Sequence, residues 1–161
     1  MGSPASFPMN PDFADLLRAL SARRARFLVV GAFAVTVHAE PRATGDIDLW
    51  VEPTPENAAR VLAALRDFGA PLRNLSAEDL ARRGTVFQMG VAPVRIDILT
   101  EIDGVTFESA WRSRVFARFG DVRTPVIGRA ALIRNKLATG RPKDVLDVES
   151  LRRHARRWRD R

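Results

Sequence analysis

The chain has 161 residues, no cysteine and a formal net charge of +7, and 46% of its residues are hydrophobic. This length suits one domain with a real core, and the lack of cysteine excludes disulfides, zinc fingers and thiol chemistry. No apolar run approaches the roughly 18 residues that span a bilayer, so we expect no membrane partner. Residues 1–11 also lack the basic start and apolar run of a secretory signal, so we expect a cytoplasmic protein.

The first half of the chain alternates helices and strands. Residues 1–10, with Pro4, Pro8 and small polar residues, are expected to be disordered. Asn10 and Pro11 suit the start of a helix, and Thr54-Pro55 and Gly69 suit the two ends of another. The predicted elements are a helix at 11–24, a strand at 27–30, a short helix at 32–39, a strand at 46–52 and a helix at 54–69.

Strands cluster in the second half. We predict a short helix at 76–83, a hairpin of strands 85–89 and 94–100 around Gly90, a short helix at 106–112, strands at 115–119 and 122–126, and helices at 128–139 and 142–157. Early alternation followed by clustered strands predicts an α+β (mixed α/β) fold with a mixed sheet, rather than a doubly wound parallel one. No linker is long enough to divide residues 11–161, so we expect a single domain with a basic C-terminal helix end.

Three aspartates are the strongest candidates for chemistry. Asp46 and Asp48 share one face of their predicted strand, because side chains alternate along a strand. Asp97 has the same alternation within Val94–Leu99, so the three carboxylates can meet if the two strands are neighbours. Carboxylates this close repel each other unless a cation lies between them, and Mg²⁺ binds carboxylate and phosphate oxygens. The alternative interpretation is a solvated edge strand.

Gly31 lies between a predicted buried strand and a predicted helix. A glycine there allows close backbone approach, and the helix N-terminus supplies free N–H donors for phosphate. An ordinary strand-to-helix turn is the alternative.

The chain uses arginine almost exclusively as its cation. It has 24 arginines and only two lysines, Lys136 and Lys143, and both lysines fall within one eight-residue stretch. A compact ammonium makes point-charge contacts with phosphate that a planar guanidinium does not, although chance could also cluster two lysines.

The net charge is concentrated at the C-terminus. Six arginines and one aspartate at residues 152–161 carry +5 of the net +7. This segment is either a solvated helix end or a contact for RNA or another acidic partner.

These motifs resemble the signature of the polymerase-β-like nucleotidyltransferase superfamily. Val30-Gly31-Ala32, thirteen further residues and then Asp46-Ile47-Asp48-Leu49 are similar to its glycine turn and Asp-x-Asp strand. Two longer segments, RATGDIDL at 42–49 and RNKLATGRPKDVLD at 134–147, resemble the small bacterial branch that includes nucleotidyltransferase toxins of the abortive-infection type. The resemblance covers roughly residues 26–151.

The resemblance implies a nucleotidyltransferase-like sheet flanked by helices, with the C-terminal helices closing the site. It implies that Asp46, Asp48 and Asp97 are catalytic and ligate Mg²⁺, with two ions expected and an NTP as substrate. Nucleotide and phosphate contacts would come from Gly31, Ala32, Arg42, Lys136 and Asp144, with Lys136 neutralising the triphosphate and Asp144 orienting Lys136 or the acceptor.

The family usually has serine or glycine where this chain has Ala32, so a hydroxyl that could bind phosphate is absent.

The sequence leaves three hypotheses for the function. The first is transfer of an NMP from NTP to a hydroxyl of tRNA, a protein or a small molecule. The second is a catalytically impaired nucleotide-binding module or toxin–antitoxin component with an antitoxin partner. The third is a nucleic-acid-binding protein that acts through its arginine-rich tail.

Overall fold

The computed structural model describes residues 6–40, 45–91 and 94–159. The strands are β1 (Ser6–Phe7), β2 (Phe27–Val30), β3 (Asp46–Val51), β4 (Val86–Val91), β5 (Val94–Leu99), β6 (Val115–Phe119) and β7 (Val122–Val126). The helices are α1 (Pro11–Ala22), α2 (Gly31–His38), α3 (Pro55–Phe68), α4 (Ala77–Ala81), α5 (Phe107–Arg112), α6 (Arg129–Thr139) and α7 (Pro142–Arg159). No described helix is both long and apolar enough to cross a membrane.

All seven strands belong to one sheet in the order β1-β6-β7-β2-β3-β5-β4. Parallel and antiparallel pairs alternate across it, beginning with the parallel β1–β6 pair and ending with the antiparallel β5–β4 pair. The sheet is therefore mixed, as the strand pattern predicts.

Local signals in the sequence set several helix ends. The Asn10 side chain accepts a hydrogen bond from the backbone N–H of Asp12 at the start of α1, and Thr54 does the same for Asn57 in α3. Gly140 adopts a φ of 65° and ends α6, so the chain turns directly into α7.

Two predictions differ from the structure. Ser6 and Phe7 pair with β6, and the Phe7 ring lies 5.8 Å from that of Phe119, so the expected disorder is wrong for this short strand. Residues 1–5 of that segment lie outside the described residues. Gly90 lies inside β4 rather than in the hairpin turn, because a glycine with φ of 83° fits a local distortion of the strand.

The hydrophobic core joins the strands that carry the site to the helices packed against them. Ile47, Leu49 and Val51, which alternate with the aspartate face of β3, are buried. The helix α3 contacts β3, α1 and α4, while α2 contacts β3, α6 and α7. This packing fixes β3 and brings the two C-terminal helices to α2.

Candidate active site

The three candidate aspartates lie on neighbouring parallel strands. In the register of β3 and β5, Asp48 is directly opposite Asp97, and Asp46 is opposite Arg95. The flanking Ile47 and Ile96 are buried, so the aspartates share the opposite face. The three-carboxylate hypothesis required this adjacency, and the sheet provides it.

Asp48 and Asp97 form a close carboxyl pair. Burial of Asp48, together with the charge of Asp97 and a hydrogen bond between the two side chains, raises the pKa of Asp48 to about 6. A hydrogen bond between two carboxyl groups needs a proton on one of them. Asp48 therefore binds a proton more readily than an ordinary exposed aspartate does.

Arg95 connects the remaining carboxylate to this pair. Its Nη2 lies 3.4 Å from Asp46 Oδ2 and its Nε lies 3.2 Å from Asp97 Oδ1. With the side chains in this arrangement, no three acidic, histidine or cysteine side chains of the described residues are grouped to hold one metal ion. The carboxyl pair of Asp48 and Asp97 is nevertheless suited to Mg²⁺, which is often held by one or two carboxylates plus substrate phosphates.

Gly31 is the first residue of α2 and lies against Asp48. Its φ is 66°, and a Cβ added to it would lie 2.2 Å from Asp48 Oδ2. The sequence predicts that Gly31 lets the backbone approach a phosphate. The structure adds a second reason for a glycine, since only a residue without a side chain leaves room for this carboxylate.

Gly31→Ala is expected to destabilise the protein by about 1–3 kcal/mol, because alanine is strained at this positive φ and its methyl group displaces the Asp48 carboxylate. Urea unfolding monitored by tryptophan fluorescence checks this. Gly69→Ala is a matched control: Gly69 has a φ of 85°, but a Cβ there would meet nothing within 4 Å. A Gly31→Ala variant no less stable than Gly69→Ala would contradict the steric argument.

The two C-terminal helices carry a buried ion-pair cluster of Lys136, Asp144 and Asp147. Lys136 Nζ lies 3.2 Å from Asp144 Oδ1 and 3.1 Å from Asp147 Oδ2, and all three residues are buried. Asp144 therefore contacts Lys136, and its role in orienting Lys136 stays a prediction. Asp147 is an additional partner that the sequence analysis did not assign, although its i+3 spacing from Asp144 places both on one helix face.

Asp144 has further donors beyond Lys136. The Thr139 hydroxyl donates to Asp144 Oδ2 at 2.7 Å, and Arg141 donates from Nε at 2.8 Å. Burial alone would raise the pKa of Asp144, but these hydrogen bonds and Lys136 outweigh it and hold the pKa well below its ordinary value. Asp144 is therefore ionised and fixes the end of α6 to the start of α7.

The carboxylates and the helix cluster face one cleft of about 260 Å³. It is lined by Gly31, Ala32, Asp46, Asp48, Arg95, Asp97, Lys136, Arg141 and Lys143. Both lysines of the chain are thus at the cleft, as are all the predicted site residues within the described ranges except Asp144, which lies behind Lys136. Arg42, the other predicted phosphate contact, lies outside the described residues.

The four cations of the cleft differ in their partners. Arg95, Lys136 and Arg141 each pair with an aspartate. Lys143 is exposed, and no carboxylate among the described residues pairs with it. The scarcity of lysine in the sequence points to Lys143, whereas Arg95 and Arg141 do not stand out among its 24 arginines.

A second cavity lies farther along the same strands. It has a volume of about 560 Å³ and is lined in part by Trp50, Phe107 and Glu101. Trp50 is buried, with its ring 5.1 Å from that of Phe107, so it lines this second cavity and not the carboxylate cleft.

Three solved structures resemble this fold. One is the lincosamide antibiotic adenylyltransferase LnuA in its lincomycin-bound form, with a TM-score of 0.57 and 15% identity over 93% of this chain and 98% of that chain. A second is the antibiotic-resistance factor ANT(2'')-Ia, with a TM-score of 0.58 and 15% identity over 91% of this chain and 82% of that one. The third is a Thermotoga maritima protein assigned as a nucleotidyltransferase, with a TM-score of 0.50 and 17% identity over 92% and 96% of the two chains.

Because the identities are only 15–17%, these similarities show the fold alone: the chain has the same mixed α/β fold as these three proteins. No protein-family model and no curated protein sequence matches the chain.

Proposed function

We propose that this protein is a Mg²⁺-dependent nucleotidyltransferase that moves an NMP from an NTP to a hydroxyl group. The observation that carries the proposal is the register that sets Asp48 opposite Asp97, in a cleft lined by Gly31 and both lysines. Acidic groups for a cation and basic groups for phosphate are thereby combined in one place, within a nucleotidyltransferase fold.

In the proposed reaction the acceptor oxygen attacks the α-phosphorus of the NTP. A new phosphorus–oxygen bond forms, the bond to the β-phosphate oxygen breaks, and pyrophosphate leaves. Asp97 accepts the proton of the acceptor hydroxyl. Lys143 and the buried Lys136 offset the negative charge of the triphosphate, and the first N–H groups of α2 face the phosphates.

Asp48 and Asp97 are the residues that would hold Mg²⁺, and Asp46 would join them after leaving Arg95. When bound, the metal would polarise the phosphoryl oxygens and lower the pKa of the attacking hydroxyl. The sequence resemblance implies a second ion. Binding of that ion would require Asp46 to leave its ion pair with Arg95. Arg95 is then available for the triphosphate or the departing pyrophosphate.

The direct test is transfer of label from NTPs labelled at the α-phosphate, in Mg²⁺, to total tRNA, to the protein itself or to hydroxyl-bearing antibiotics. Pyrophosphate release is measured in parallel. The proposal predicts a labelled product that Asp97→Asn abolishes and that Asp103→Asn, an exposed carboxylate outside the cleft, leaves unchanged. Absence of labelled product with every NTP and acceptor would count against turnover.

Ala32 favours the second candidate, a nucleotide-binding module without turnover. The resemblance of residues 134–147 to the abortive-infection branch makes an antitoxin the candidate partner for either version. Calorimetry with Mg²⁺ and NTP separates the two functions, because binding of the nucleotide without pyrophosphate release supports the module.

Lys143→Ala is expected to raise the KM for NTP at least about tenfold with little change in stability. Lys143 is exposed and lacks a carboxylate partner within the described part of the chain, so its removal costs a charge-assisted contact with the triphosphate and no packing. Steady-state kinetics measures the KM, and Lys143→Arg, which keeps the charge, is expected to retain more of the affinity. An unchanged KM in Lys143→Ala would remove this residue from the site.

A further inference from the structure

Five side chains away from the cleft form an alternating stack of guanidinium groups and aromatic rings. We name this set, Arg26, Trp111, Arg114, Phe116 and Arg123, the arginine–aromatic ladder. The Cζ atoms of Arg26 and Arg114 lie 5.3 Å and 4.0 Å from the centroid of the Trp111 ring. Those of Arg114 and Arg123 lie 5.5 Å and 3.7 Å from the Phe116 ring. Cation and ring thus alternate along the whole ladder.

The middle of the ladder is held firmly by the protein. Arg114 Nη1 donates a hydrogen bond to the Trp111 carbonyl oxygen at 2.7 Å. The Trp111 ring stacks on Phe107 with centroids 5.7 Å apart, and Phe107 packs against the buried Trp50. Trp111 and Arg114 are therefore held in fixed positions, so little side-chain entropy is lost at the middle of the ladder when a ligand binds.

The Arg123 end of the ladder lies beside a second arginine, Arg118, on the sheet. Arg123 is directly opposite Arg118 in the β6–β7 pair, both are exposed, and like charges in this position destabilise a sheet. Across the described ranges of the chain, neither guanidinium has a carboxylate partner. Arg26 has Glu52 at 3.3 Å, and Asp121, in the β6–β7 turn, pairs with Arg18 instead.

We propose that the arginine–aromatic ladder, together with Arg118, binds single-stranded nucleic acid. Guanidinium edges donate to phosphate oxygens, and guanidinium planes stack on unpaired bases. A single strand offers both a line of phosphates and free bases, whereas an acidic protein surface offers charge without flat stacking groups. The proposal does not depend on the proposed transferase reaction, because none of these residues lines the carboxylate cleft.

The test is fluorescence anisotropy of the full chain with an end-labelled oligouridine of about 12 nucleotides, titrated at several salt concentrations. The double variant Arg118→Gln/Arg123→Gln is expected to bind at least about tenfold more weakly. The slope of log K against log salt should flatten by about 1.4, since each lost phosphate contact on a single strand contributes roughly 0.7.

The matched control is Arg152→Gln/Arg153→Gln, which removes the same charge from two exposed positions of α7 and is expected to change the affinity less than about threefold. Unchanged affinity in the Arg118→Gln/Arg123→Gln variant overturns the proposal. So does an equal or larger loss in the α7 control, which would assign binding to the C-terminal segment. If polyglutamate binds as tightly as the oligouridine, and the Arg118→Gln/Arg123→Gln variant weakens that binding equally, the partner of this surface is an acidic protein and the proposal is overturned.

Arg123→Lys separates stacking from charge. Lysine keeps the positive charge but lacks the planar group that stacks on Phe116 and on a base, so we expect weaker binding with an unchanged salt slope. If the double variant folds poorly, Arg118→Gln alone repeats the test, because no ring contact holds Arg118 within the described residues. Full affinity in both single variants would contradict the proposal.

Discussion

Asp48→Asn is expected to make the metal-free protein more stable at about pH 8 while reducing nucleotidyl transfer at least about a thousandfold. Asparagine has nearly the same shape as aspartate, but it removes a buried charge that faces Asp97. It can also donate a hydrogen bond to the Asp97 carboxylate. The same substitution removes a proposed metal ligand, so stability and activity change in opposite directions.

The pH dependence of the free energy of unfolding gives the sign and size of the stabilisation expected for Asp48→Asn. The pKa of Asp48 is raised from 3.8 to about 6 in the folded protein, so the folded state binds its proton more tightly than the unfolded chain does. Stability therefore falls as the pH rises from about 4 to about 6, and the full penalty, at most about 3 kcal/mol, is present above that range. Asp48→Asn removes the penalty, so its advantage is present at pH 8 and absent near pH 4.

Differential scanning calorimetry of the metal-free proteins measures this advantage. The exposed Asp103→Asn substitution changes the net charge equally and is the control. An Asp48→Asn variant that is no more stable than the wild type at about pH 8 would show that the carboxyl pair is not electrostatically strained.

Lys136→Met is expected to be among the most destabilising substitutions in the chain, at about 3–5 kcal/mol. It leaves the buried Asp144 and Asp147 without the ammonium that lies within 3.2 Å of both. Methionine fills much of the same volume, so the loss comes chiefly from the missing ammonium beside two buried carboxylates, of which Asp144 keeps Arg141 and Thr139 as donors. Chemical denaturation gives the free energy of unfolding of this variant and of wild type.

Lys143→Met is the matched control, because it removes the chain's other lysine from the same cleft but from an exposed position. We expect its stability to lie within about 0.5 kcal/mol of wild type. Adding Asp147→Asn to Lys136→Met should recover part of the lost stability, since it removes the negative charge of one buried carboxylate that Lys136 contacts. Equal stabilities for Lys136→Met and Lys143→Met would contradict a structural role for the cluster.

The elements and the cleft follow largely from local sequence signals. Alternation placed Asp46 and Asp48 on one strand face, and capping residues such as Asn10 and Thr54 predicted helix starts. The rarity of lysine drew attention to Lys136 and Lys143, and both line the cleft. Side-chain alternation and helix capping depend on residues only a few positions apart, so one sequence is enough to predict them.

Contacts between distant elements were harder to predict. Arg95 is two residues from Asp97 and therefore shares its face, but nothing local shows that it reaches Asp46 across the β3–β5 pair. The steric fit of Gly31 to Asp48 depends in the same way on the packing of α2 against β3. The arginine–aromatic ladder brings Arg26, Trp111 and Arg123 together from far along the chain, and one sequence without relatives does not reveal such contacts.

The most direct test of the proposed site is Mn²⁺ binding measured by electron paramagnetic resonance, with and without a non-hydrolysable NTP analogue. This measurement needs no knowledge of the acceptor. We predict that the analogue increases Mn²⁺ affinity, and that Asp48→Asn or Asp97→Asn abolishes the effect while Asp103→Asn does not. Nucleotide-independent Mn²⁺ binding, or binding unchanged by both cleft substitutions, would contradict a metal–nucleotide site at Asp48 and Asp97.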